Sequence, residues 1–104
     1  MPLKRYEILL PLRYNSGAPI EAEKFDETRR ELVNRFHGVT FDPQPVRGFW
    51  IQQGTEYEDL LIRVVVDVED NVDSRAFFTN LKEALKDRFQ QIEIWITYQD
   101  IGRL

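Results

Sequence analysis

Twice along this chain, side chains suited to a core recur at steps of three, four and four. They are Phe25, Thr28, Leu32 and Phe36, and then Phe78, Leu81, Leu85 and Phe89. That spacing lines up one face of an α-helix, and a helix with a single apolar stripe is stable only when another layer covers it. The pattern predicts helices over 20–36 and 74–89. Glu21 and Glu23 near the start of the first, and Arg35 near its end, complement the helix dipole. Gly38 falls where a helix end takes a left-handed residue, and Asp73 or Ser74 is placed to cap the second helix.

The covering layer is legible in alternating segments. Residues 6–14 put Tyr6, Ile8, Leu10, Leu12 and Tyr14 on one parity, and 57–68 put Leu60, Ile62, Val64, Val66 and Val68 there. In 92–99, Ile92, Ile94, Ile96 and Tyr98 point inward, with Glu93, Trp95, Thr97 and Gln99 outward. Val39 to Phe41 is short and extended, and Asp42-Pro43-Gln44-Pro45 interrupts it before a strand from Val46 to Gln52. The parity of that strand stays open. A two-residue turn at Gln53-Gly54 pairs Trp50 with Tyr57 and Val46 with Leu61 on the outer face, whereas a three-residue turn sends Phe49 and Ile51 there.

The order is β-α-β-β-α-β across one domain, residues 1–104. Leu32, Arg35, Phe36, Val39 and Phe41 are echoed by Leu85, Arg88, Phe89, Ile92 and Ile94 at a constant offset of 53. This order resembles the ferredoxin-like plait. The resemblance implies an α+β fold with a four-stranded antiparallel sheet and both helices on one face. Pro11 conflicts with a central first strand and is read as a bulge or as the strand's exit.

Composition removes whole classes of chemistry. With 104 residues there is room for one core. Cysteine is absent, which excludes disulfides, thiolate metal sites and cysteine nucleophiles, and the single histidine is His37. No apolar run approaches the ~18 residues of a membrane span, and MPLKRYEILL lacks a signal peptide's apolar stretch. A soluble, cytoplasmic protein without a membrane partner is expected. The net charge of −4 argues against nucleic-acid binding. RNA-recognition modules share this element order, but Glu7, Leu9, Leu61, Arg63 and Val65 stand where those modules need stacking aromatics.

Two helices cover one face of such a sheet, and the other face is not polar. Glu7, Leu9, Leu61, Arg63, Val65, Glu93 and Trp95 are therefore expected to form an interface or ligand face. The expected partner is a second copy of the chain, with another protein or a small molecule as alternatives.

The remaining polar groups give less. The loop from Arg13 to Pro19 precedes a helix but lacks a glycine-rich phosphate cradle. The acidic groups at 56–59 and 67–73 lack the spacing of a calcium loop, so neither metal nor cofactor is expected. By parity, Glu7 and Glu93 could meet as paired carboxylates. The plait doubled face to face also resembles the dimeric α+β barrel proteins, some of which are small enzymes without a cofactor. On that alternative Arg13, Tyr14 and His37 form a polar pocket, joined by Arg63 and Glu93.

Overall fold

The computed structural model describes residues 2–104. In chain order the elements are β1 (Leu3–Pro11), α1 (Ala22–Phe36), β2 (Thr40–Phe41), β3 (Val46–Gln52), β4 (Thr55–Glu69), α2 (Val72–Arg88) and β5 (Trp95–Ile101). All pairings are antiparallel, in the order β2-β4-β1-β5, and β3 also pairs with β4. The sheet has five strands rather than four because one edge is broken. Thr40 faces Val65 and Phe41 faces Val64, after which Val46 faces Leu61 on the same side of β4. Pro43 and Pro45 between them have no N–H to give a ladder, so the edge parts there.

Both helices lie on the even-numbered face. Ile8, Leu10, Leu32, Val64, Leu85 and Phe89 have no exposed surface. Phe25, Phe36, Ile62 and Ile96 pack around them half-buried, as the two helical stripes require. The Tyr6 and Phe78 rings stack with centroids 3.8 Å apart, and Phe36 stacks on Phe78 at 5.3 Å. These contacts tie β1, α1 and α2 into one core.

Several boundaries differ from expectation, each for a local reason. β1 begins at Leu3 and stops at Pro11, which is the strand's exit, so Leu12 and Tyr14 lie beyond it. Helix α1 ends with His37 itself left-handed (φ 66°), its N–H donating to Val33 O at 2.8 Å, and Gly38 is not the left-handed residue. Asn71, not Asp73 or Ser74, caps α2: its side-chain oxygen accepts from the Ser74 N–H at 2.8 Å. β5 begins only at Trp95, and Ile92 is 83% exposed rather than part of the core.

The turn between β3 and β4 has two residues, with Gln53 (φ 52°) and Gly54 (φ 79°) both left-handed. Two positive φ values in succession match the right-handed strand twist, and Gly54 meets its half without strain. Trp50 therefore faces Tyr57 and Val46 faces Leu61. The β1 ladder meets β4 only from Leu61 onward, and the Leu12 N–H just beyond it donates to Leu60 O at 3.0 Å, so Thr55–Asp59 pairs with β3 alone. At ~3.3 Å per residue this makes a two-stranded arm projecting roughly 20 Å past the end of β1.

Candidate binding face

The odd-numbered side of the sheet carries no helix. In register, Glu7 lies between Val65 and Thr97, and Leu9 between Arg63 and Trp95. The Arg63 Nε and Glu7 Oε1 pair at 2.9 Å. Leu61 lies across from Val46 and beside Gly48, where a Cβ would come 3.1 Å from Leu61 Cδ1. The bare Gly48 lets the Leu61 side chain lie over β3 and continue the apolar floor.

The arm adds aromatic walls. The Trp50 and Tyr57 rings stack at 4.6 Å and 20°, and Trp50 Nε1 donates to Asp59 Oδ2 at 2.8 Å. Trp50 is 44% exposed and Trp95, across the face, 62%. Between them opens a cleft of about 520 Å³, lined with apolar surface by Leu9, Leu61 and Ile92. Trp50 and Asp59 belong to this cleft but to neither expected set. Asp59 shares the odd parity of Leu61 and Arg63 along β4, and the signal for Trp50 was the Gln53-Gly54 pair, since the two-residue turn brings it onto this face.

The expected polar pocket does not assemble. Arg13 and Tyr14 line an adjoining cleft on the other side of Trp50, whereas His37 borders a separate hollow beside Thr40, Arg5 and Asp67. Arg13 Nη1 donates to Gly17 O at 3.2 Å. The Tyr14 hydroxyl donates to Glu21 Oε2, and that bond, with the neighbouring Lys24, holds the Glu21 carboxyl below the usual carboxylate range. Three of the loop's amides are spent internally: Tyr14 N on Ala18 O, Gly17 N on Tyr14 O and Ala18 N on Ser16 Oγ.

Glu7 and Glu93 do not pair. Glu7 faces Thr97, while Glu93 precedes β5 and binds Lys82 of α2 at 3.0 Å. The Lys82 ammonium, aided by the Ile94 N–H, keeps the Glu93 carboxyl below its ordinary range. Among the described residues no three His, Cys, Asp or Glu side chains converge to hold a metal ion, and no helix is long and apolar enough to cross a membrane.

No protein-family model and no curated protein sequence matches the chain. Solved structures do. A phage SAM lyase in complex with S-methyl-5'-thioadenosine superposes with a TM-score of 0.70 at 13% identity, covering 97% of this chain and 90% of that one. The periplasmic divalent cation tolerance protein CutA from Archaeoglobus fulgidus gives 0.65 at 14%, covering 97% and 85%. The divalent cation tolerance protein Cut A1 from Thermus thermophilus gives 0.66 at 18%, again covering 97% and 85%. The fold is the ferredoxin-like plait. At such identities the likeness is one of architecture, and function has to be argued from this chain's own surfaces.

Proposed function

We propose that this chain is a self-assembling binding module whose copies associate through the open sheet face and the projecting arm. The observation that carries the reading is the arm. Phe49 and Ile51 are 55% and 74% exposed on one of its faces, and Trp50 and Tyr57 are each 44% exposed on the other. A two-stranded ribbon is marginal in water without a layer against it. Leu9, Leu61, Val65 and Trp95 extend the same apolar surface across the sheet, with the Arg63–Glu7 pair beside them to set register. A second copy brings a surface of matching character.

Sedimentation at tens of micromolar tests this. The wild-type chain is expected to run as a dimer or larger, and Trp95→Glu as a folded monomer, because the new charge would have to shed its water at the interface. A wild-type monomer, or an assembly indifferent to Trp95→Glu, would overturn the reading. The catalytic alternative has less support, since Arg13, His37 and Glu93 lie in three separate places.

A further inference from the structure

We propose that the cleft between Trp50 and Trp95 binds an organic cation: an alkylated ammonium group carried on an apolar or aromatic body. Three observations converge on that class. First, the walls include two exposed indoles, whose faces carry negative electrostatic potential and attract cations. Second, Asp59 lines the cleft with its charge unneutralised, as no Lys or Arg among the described residues pairs with it. Its one side-chain partner is the Trp50 N–H, and a carboxylate on that N–H pushes electron density into the ring, strengthening the pull on a cation above it. Third, no Lys, Arg or His lines this cleft; Arg13 lies in the adjoining one and is turned onto Gly17 O.

The floor narrows the class further. Leu9, Leu61 and Ile92 offer no hydrogen bonds to a hydrated ion, so a metal cation or a primary ammonium would regain only part of its lost water, from Asn15, Gln52, Asp59 and Gln91. An alkylated ammonium is weakly hydrated and loses little. Glu93 also borders the cleft, but Lys82 already neutralises it, leaving Asp59 as the acidic anchor. The space, about 520 Å³, is ample for a molecule of this kind.

This inference rests on the open face being a binding surface but not on assembly, because every lining residue comes from one chain.

The test uses the full chain, in which Trp50 and Trp95 are the only tryptophans, so tryptophan-selective fluorescence reads the two indole walls of the cleft. Benzyltrimethylammonium should give a saturable change, benzyl alcohol should bind roughly tenfold more weakly, and benzenesulfonate should give none. Asp59→Asn should weaken the cation about tenfold, and Gln52→Lys should do the same by repulsion, with both thermal midpoints near wild type. Equal affinity for the alcohol and the cation, wild-type affinity in Asp59→Asn, or no saturation by about 10 mM overturns the proposal. Sedimentation of the same samples separates the two readings. A monomer that binds the cation defeats assembly alone, and an assembly that does not bind it defeats this site alone.

Discussion

Arg88 Nη1 donates to Thr28 Oγ1 at 2.8 Å, joining the last turn of α2 to the middle of α1. Thr28 is fully buried and hands its own proton to Lys24 O at 2.8 Å. The same guanidinium pairs through Nε with Glu27 at 3.1 Å and meets Glu31, and the whole Arg88 side chain is only 12% exposed. One arginine thus holds three positions on the facing helix and also places positive charge at the end of its own helix dipole.

Replacing that arginine should loosen the helix pair without emptying the core. Arg88→Met is expected to cost about 1–3 kcal/mol, because the partner carboxylates are half-exposed and rehydrate once released. A double-mutant cycle with Thr28→Val, read from urea midpoints, should show coupling. Strict additivity would mean that the contact does not form in solution.

Leu85 is fully buried where both helices meet the sheet. Leu85→Ala should cost about 2–5 kcal/mol through lost burial and the cavity left behind. A chemical-denaturation midpoint equal to wild type would show that α2 turns a different face inward.

The α2 cap separates two neighbouring residues. Asn71→Ala removes the acceptor for the Ser74 N–H and should cost about 1 kcal/mol. Asp73→Ala removes only a first-turn charge and should cost less. Thermal unfolding of the two variants side by side decides which one caps.

At the arm's tip, Gly54 holds φ 79°. Gly54→Ala should destabilise by about 1 kcal/mol, whereas Gln53→Asn, a residue more at ease in that region, should be neutral or better. Equal effects in guanidinium denaturation would contradict the two-residue turn.

Arg5 grips Asp67 with two bonds, Nε to Oδ1 at 2.8 Å and Nη2 to Oδ2 at 3.0 Å. That grip holds the Asp67 carboxyl below its usual range. A carboxyl depressed in the folded state stabilises fully above its unfolded pKa and stops doing so as pH falls through the folded one. Both side chains are about 40% exposed, so the gain near neutrality should be about 0.5 kcal/mol or less. The stability difference between wild type and Asp67→Asn should therefore appear near pH 7, be lost only as pH falls through the lowered Asp67 range, and shrink in salt.

The helix stripes and the period-two strands were legible because each is a local pattern with one burial solution. Leu32 and Leu85 occupy equivalent fully buried places, as the 53-residue echo implies. The echo fails at Ile92, whose counterpart Val39 packs against the core, because the chain leaving α2 turns through left-handed Gln90 and reaches the sheet only at Trp95. Asn71 was hidden because Asn, Asp and Ser stand close together there, and spacing alone does not choose among them. The cleft was half legible. Leu9, Asp59, Leu61 and Trp95 follow from strand parity, whereas Trp50 depends on a turn type that residues 53–54 permit but do not force. His37 reads as a partner for Arg13 only while the distance along the sheet is unknown.

The arm shares no ladder with β1, and this has a consequence for how such a chain can change. Inserting two residues in β3 and two in β4 just before the turn would lengthen it by one full pleat on each side. Every pairing nearer the body would stay in place, and each new side chain would fall on the face that its parity dictates. Inserting one residue in each strand would instead reverse which face the turn residues meet, with the core still untouched. The reach of this molecule is thus adjustable in steps of about 7 Å, independently of the fold that anchors it.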